Sequence, residues 1–297
     1  MDAAVTRESF GRVGIWSWAL RSTTADAARR AEIAEAVAEL EDLGYGTVWL
    51  GGSPSMADVA AVVDATSGIT VATGILSIWD HTADEVAEQV AALEEKTPGR
   101  FALGLGASHA VVTPKYTKPY SSMVSYLDAL DAAATPVGRE RRLVAALGPK
   151  MLTLAAERSL GAHPYLAPAT HTAYARTVMG PDALLAPEVK VVLDPDPERA
   201  RARAREVLAP YLGLPNYTGN LLRHGFDESD LADGGSDRLI ESLFSLGDVD
   251  SAVALVEEHL RAGADHVTIQ VAVDGGPHNS TLPRAEWRAL ATALSLR

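Results

Sequence analysis

The sequence predicts a (β/α)₈ barrel in a single domain spanning residues 1–297. Three observations point there. Short apolar runs alternate with amphipathic stretches, and the pair recurs eight times along the chain. No proline- or serine-rich linker divides the chain. No Gly-x-Gly-x-x-Gly follows the first apolar run, which speaks against the open doubly wound sheet, the fold alternative.

The elements follow in order. A first strand is expected over 12–18, then a polar loop, Arg21-Ser22-Thr23-Thr24, and a helix on which Ile33, Val37 and Leu40 share one face before Gly44 caps it. A second strand, 47–50, runs into Gly51-Gly52-Ser53-Pro54. A short helix over 56–64 leads to a third strand, 69–76, and Val86, Val90 and Leu93 line one face of a helix over 84–95. Pro98-Gly99 then turns the chain into a fourth strand, 101–106, too short for a helix, whose end delivers His109. Gly104 and Gly106 mark a close approach to the backbone, by a neighbouring strand or by a flat ligand.

Residues 111–122 have no apolar period and read as a loop, closed by a helix over 123–134. A fifth strand, 142–147, precedes Gly148-Pro149-Lys150 and a helix to about 159; a very short sixth strand lies at 161–163, a helix at 171–179 and a seventh strand at 189–193. Asp194-Pro195-Asp196-Pro197 starts the next helix, 198–211. Residues 213–247 interrupt the rhythm with weakly helical pieces at 220–224 and 238–245, as a lid or a tolerated insertion would. A helix carrying Val253, Val256 and Leu260, a last strand over 264–271 and a terminal helix with Trp287, Leu290 and Leu294 complete the count.

Composition narrows the function. With 39 acidic against 26 basic residues the net charge is −13, which disfavours nonspecific binding to nucleic acid or anionic membranes. The absence of cysteine excludes disulfides, thiolate zinc sites and cysteine nucleophiles. The stretch Met1 to Glu8 lacks a basic region followed by an apolar one, and no run reaches membrane-spanning length, so a soluble cytoplasmic protein is expected.

In a barrel the active site lies at the carboxyl ends of the strands. Four of the five tryptophans fall at or near the ends of the first three strands, and Trp18, Trp49 and Trp79 could wall a pocket for a flat ring or simply fill the barrel and its rim. His81, His109 and His163 share this end, with a side chain suited to proton transfer, though each could be structural. A metal site is not expected: the first strand offers no His-x-His, and strands seven and eight end in Asp194-Pro195 and Asp274-Gly275-Gly276, an incomplete set. Gly148-Pro149-Lys150 could bind phosphate through backbone N–H groups at a helix start or be ordinary helix punctuation. Lys115 and Lys118 could bind an anionic tail.

Several segments, taken in order, resemble the luciferase-like monooxygenase superfamily, and within it the branch dependent on the deazaflavin coenzyme F420. They are Leu43-Gly44-Tyr45-Gly46-Thr47-Val48-Trp49-Leu50, Val71-Ala72-Thr73-Gly74-Ile75-Leu76, Gly99-Arg100-Phe101-Ala102-Leu103-Gly104-Leu105-Gly106 and Ala145-Ala146-Leu147-Gly148-Pro149-Lys150, with Ala155-Ala156-Glu157-Arg158 and Gly161-Ala162. The resemblance implies a luciferase-like barrel with a non-prolyl cis peptide at Gly74-Ile75 behind the coenzyme ring. It implies that Gly106, Ala107 and Ser108 touch the ribityl chain, that Leu147, Gly148 and Pro149, with Lys150 beside them, take the phosphate, and that Gly51 and His163 also border the coenzyme. It further implies a homodimer and a small-molecule substrate. The chain departs from the pattern after the second strand, where several deazaflavin enzymes carry an acid and often a histidine and this one has Gly51-Gly52-Ser53. The expected proton donor is therefore His109 or His81. The expected activity is hydride transfer between F420 and a C=C, C=N or C=O group or an alcohol. The alternatives are an FMN-dependent luciferase-like enzyme and a noncatalytic flavin or deazaflavin binder.

Overall fold

The structure, a computed structural model, describes residues 5–274 and 280–297. Gly275 and Gly276 of the last strand end lie outside the described residues. Strands β1 (Val13–Ser17), β2 (Thr47–Gly51), β3 (Thr70–Gly74), β4 (Leu76–Ser77), β5 (Phe101–Gly106), β6 (Arg142–Val144), β7 (Gly161–Ala162), β8 (Leu184–Leu185), β9 (Glu188–Val192), β10 (Phe244–Leu246) and β11 (Val267–Val271) are all parallel to their partners. Two pairs are each one bent strand. β3 and β4 are separated by Ile75, and the Gly74–Ile75 peptide is cis. β8 and β9 are separated by Ala186 and Pro187; the first half pairs with β7 and the second with β11, which pairs with β1. Hydrogen bonds from Ala186 N–H to Ala162 O and from Thr268 N–H to Pro187 O carry the pairing across the bend. The sheet is thus a closed ring of eight staves, as the alternation in the sequence predicts.

The helices are α1 (Ala27–Asp42), α2 (Met56–Asp64), α3 (Ala83–Lys96), α4 (Pro119–Ala132), α5 (Pro149–Arg158), α6 (Ala169–Met179), α7 (Pro197–Leu212), α8 (Pro215–Arg223), α9 (Glu228–Leu231), α10 (Asp237–Leu243), α11 (Val249–Arg261) and α12 (Arg284–Ala293). Their starts are fixed by local chemistry. Ser55 with Asp58, and Thr82 with Glu85, form capping boxes that satisfy backbone donors on both sides of the cap. The apolar faces of α1 to α6, α11 and α12 pack on the outside of the ring in one cluster that includes Val37, Val62, Val90, Leu127 and Leu290.

A separate set fills the inside of the ring: Phe10, Trp16, Trp49, Ala72, Ala102, Leu143, Leu184 and Ala186. Trp16, Trp49 and Ala72 come from adjacent strands in register, with Trp16 opposite Trp49 and Trp49 opposite Ala72. Large rings from two staves are accommodated because their neighbours are alanine and glycine.

Two expectations change. α4 begins at Pro119, four residues before the period suggested, because proline at the first helical position hides the start in an apparently irregular loop. Residues 213–247 are mostly regular: α8, α9 and α10 pack with α7 in a second cluster built on Leu208, Tyr217, Leu221 and Ile240. The segment ends in β10, which pairs with β9.

Candidate functional site

The carboxyl ends of the strands show how the predicted glycines are used. A methyl group at Gly51 would lie 2.4 Å from the Trp16 ring, and one at Gly74 would lie 2.6 Å from Trp16 Nε1, which donates to Gly74 O at 2.9 Å. At Gly52 the Trp18 ring comes within 1.7 Å of that point, with the Arg21 guanidinium 4.5 Å above the indole. At Gly106 the Ile75 side chain approaches to 2.4 Å. These glycines admit the chain's own side chains. Gly148 differs: nothing lies within 4 Å of the place its Cβ would occupy.

The tryptophans and histidines separate into interior and rim. Trp49 is fully buried inside the ring, stacked on His163 at 4.2 Å, and its Nε1 donates to His266 Nε2 at 3.1 Å. His163 is 1% exposed, and its Nδ1 bonds the Ala186 carbonyl. Both therefore belong to the barrel's interior packing, which corrects the expectation of a pocket wall at Trp49 and of coenzyme contact at His163. Trp79 is a rim residue, its Nε1 donating to Ala107 O and its ring facing Tyr116. His81 sits beside Glu85 at the start of α3, and its carbonyl accepts from Tyr126 Oη at 3.2 Å.

His109 is placed differently. Half-buried after β5, it packs on the Tyr217 ring of α8 at 5.3 Å, with the Asn216 side chain beside it. Burial pulls its pKa below the ordinary histidine value, and the neighbouring Asn216 side chain partly offsets this. Ser53, Ser108 and Leu166, each just beyond a strand end, have φ between 52° and 55°, a left-handed backbone seldom adopted away from glycine.

Inside the mouth lies a polar array that the sequence reading did not single out. Glu188 and Lys190, both fully buried on β9, form an ion pair at 2.6 Å. Lys190 Nζ also donates to Gln270 Oε1 at 3.1 Å and lies 3.8 Å from the centre of the Tyr165 ring. Tyr165 Oη donates to Gln270 Oε1 at 2.8 Å and lies 3.0 Å from Tyr211 Oη. The Tyr211 and Tyr217 rings meet edge-on at 5.2 Å, which extends the array to His109. Burial lowers the Lys190 pKa and raises that of Glu188, and mutual attraction opposes both shifts. The signal was the alternation Glu188-Val189-Lys190-Val191-Val192, which sets two charges on one face of a strand. Starting that strand at residue 189 hid it.

A coenzyme with a flat ring and a phosphate-bearing chain fits this mouth at its tail. α5 begins at Gly148-Pro149 with no side chain capping it, and Pro149 and Lys150 are exposed. Its first-turn N–H groups, the open space over Gly148 and the Lys150 ammonium together suit an anion. Ile75, laid across Gly106, offers an apolar backing for a ring. A small cavity of about 30 Å³ lies to one side, lined by Trp16, Trp18, Gln270 and Trp287. Among the described residues no three His, Asp or Glu side chains gather as a metal site would require, and no helix is long and apolar enough to cross a membrane.

Comparison with known proteins agrees with the fold. A family model described as luciferase-like monooxygenase matches residues 12–266. An F420-dependent secondary alcohol dehydrogenase, solved with an F420–acetone adduct, superposes with a TM-score of 0.70 at 15% identity, covering 95% of this chain and 98% of its own. The coenzyme F420 dependent tetrahydromethanopterin reductase from Methanopyrus kandleri gives 0.72 at 16% identity over 99% of both chains. The oxygenating constituent of 3,6-diketocamphane monooxygenase from Pseudomonas putida, a type II Baeyer–Villiger monooxygenase in complex with FMN, gives 0.66 at 12% identity over 96% of both. At these identities the likeness is one of fold. No curated protein sequence matches the chain. The family match over most of the chain, on a closed eight-stave barrel, places this protein in the luciferase-like monooxygenase family of oxidoreductases.

Proposed function

We propose that the chain is a deazaflavin-dependent oxidoreductase that binds coenzyme F420 at the barrel mouth and serves hydride transfer to or from a small organic substrate, at a C=C, C=N or C=O group or an alcohol. The observation that carries the reading is the open, uncapped start of α5 at Gly148, with nothing within 4 Å of the place its Cβ would occupy. Leu147, Gly148, Pro149 and Lys150 would hold the phosphate, Gly106, Ala107 and Ser108 the chain, and Ile75 the back of the ring. When bound, the coenzyme supplies the hydride chemistry.

The protein's own residues then have three tasks. His109 holds and moves the proton that accompanies hydride transfer, since the end of β2 carries only Gly51 and Gly52 beneath the two indoles. The Tyr217 ring orients its imidazole. Trp16, Tyr165, Tyr211 and Tyr217 exclude water from the reacting atoms. Two chains paired as a homodimer complete the reading, and sedimentation equilibrium tests that part.

The likeness to two F420-dependent enzymes supports the deazaflavin, and the likeness to an FMN-bound monooxygenase makes FMN the competitor to separate. Titration with each coenzyme, followed by ring absorbance and fluorescence, does so. F420 is expected to bind more tightly than FMN. The reverse order moves the assignment to FMN. No binding of either below about 1 mM, near −4 kcal/mol, overturns both. Tight binding with no turnover on a panel of enones, imines and alcohols would make the chain a noncatalytic binder.

A further inference from the structure

We infer that the Tyr211 and Tyr165 hydroxyls form the recognition site for the oxygen of a neutral substrate, oriented from beneath by the paired charges of Lys190 and Glu188; the inference rests on reading this mouth as an active site. The direction of the hydrogen bonds follows from what each group can do. An ammonium donates and never accepts, so the oxygen of the Gln270 amide, not its NH₂, faces Lys190. Tyr165 Oη meets the same oxygen and must donate to it. That commits the Tyr165 proton and leaves its oxygen to accept from Tyr211. Every donor in the chain points inward, and the Tyr211 oxygen, with no donor onto it among the described residues, is the outer end.

An outer end that accepts is suited to a ligand that donates. A hydroxyl satisfies it at once, whereas a carbonyl oxygen requires the Tyr211 proton to turn outward and give up its bond to Tyr165. The site therefore favours an alcohol over the matching ketone. Charge sets a second limit. The ammonium within the array is already neutralised by Glu188, whose second oxygen accepts from the Leu166 N–H. A carboxylate or phosphate entering here would lose its hydration and find no unpaired cation. The ring contacts of Tyr165 with Trp16 at 5.5 Å and of Tyr217 with His109 at 5.3 Å place the hydroxyl pair between an indole that reports on binding and the proposed proton carrier.

Lys190 and Glu188 act here as positioning residues. An ion pair inside a barrel can usually be replaced by apolar side chains with little loss of stability, so the paired substitution Lys190→Met with Glu188→Leu separates their positioning role from folding. The test uses coenzyme-free protein, so its outcome is read apart from the coenzyme titration. Cyclohexanol, cyclohexanone and cyclohexanecarboxylate are titrated against tryptophan fluorescence, with Trp16→Phe to assign the signal. Cyclohexanol is expected to bind saturably, the ketone about threefold more weakly and the carboxylate at least tenfold more weakly. Tyr211→Phe should weaken cyclohexanol about fivefold at an unchanged melting temperature. The paired substitution should melt within a few degrees of the parent and bind alcohol and ketone equally. Equal affinity for the carboxylate, unchanged cyclohexanol affinity in Tyr211→Phe, an alcohol preference that survives the paired substitution, or no saturable binding by any of the three overturns the inference.

Discussion

Gly104, inside β5, and Gly148, at the start of α5, have opposite surroundings. A methyl group at Gly104 would sit 1.9 Å from the Thr73 carbonyl oxygen, a backbone atom between paired strands that has nowhere to go. Gly104→Ala is therefore expected to cost roughly 3 kcal/mol or more, read as a lower urea midpoint or loss of soluble protein. Gly148→Ala meets nothing and has an ordinary φ of −86°, so its melting temperature should stay within about a degree while affinity for the coenzyme's phosphate end falls several-fold. If Gly148→Ala binds coenzyme as the parent does, the phosphate site lies elsewhere. His109→Ala should lower turnover about 100-fold or more at near-normal coenzyme affinity; unchanged turnover removes it from the mechanism. Gly106 was visible in the sequence as a place of close approach and Gly51, Gly52 and Gly74 only as small residues at strand ends, but what approaches them was not visible. The filling rings come from Trp16 and Trp18 on another stave and from Ile75 across the bend, and a glycine carries no pattern that names its distant neighbour.

Elements are held in place by a few residues that serve two of them at once. Asp58, 2% exposed, accepts from Ser22 and Thr23 N–H at 2.7 Å each and from the Ser55 backbone and hydroxyl, and so ties the loop after β1 to the start of α2. Burial alone would raise its pKa, yet bonds from Thr23 and Ser55 outweigh it and hold the carboxyl below the usual range. A folded pKa below the unfolded one gives stability that is present above the unfolded value and lost as pH falls through the folded one. Asp58→Asn should cost about 2 kcal/mol at pH 7 by urea denaturation, with a smaller gap to the parent at pH 3. A gap that stays constant with pH would show that the charge is not what holds the loop. Helices with strong periods and capping residues, such as α3, were legible at this scale. The start of β9 was not, because the expected strand opened at Val189 and left out Glu188, a charged residue that the barrel turns inward. Residues 213–247 read as an insertion because α8 to α10 are short and pack with α7 in a cluster apart from that of the other helices.

At the scale of the whole molecule the eightfold rhythm was readable because each unit repeats the same two periods, while the contents of the ring depend on closure that no local pattern records. Closure brings four histidines into the dry interior and helix layer. His163, His171, His259 and His266 all have pKa values pushed down to about 4, with burial the first cause in each. Their bonds explain why a second proton is unwelcome. His266 Nδ1 bonds the Gly11 carbonyl and must donate to it, so Nε2 is the acceptor for the Trp49 indole N–H, and protonating it would set two donors face to face. His163 Nδ1 likewise serves the Ala186 carbonyl, and its Nε2 is buried without a partner. The unfolded chain takes up these protons near pH 6.5, the folded one near 4, so between those values the unfolded state binds more protons and stability rises with pH. Each histidine contributes up to about 1.4 kcal/mol per pH unit within that window and nothing above it. Melting temperature should therefore be flat from pH 8 to about 6.5 and fall steeply from there towards pH 4, before the carboxylates held at low pKa begin to titrate. Calorimetric scans across that range decide it: equal stability at pH 7 and pH 4.5 would mean that these imidazoles are not held neutral by the closed ring.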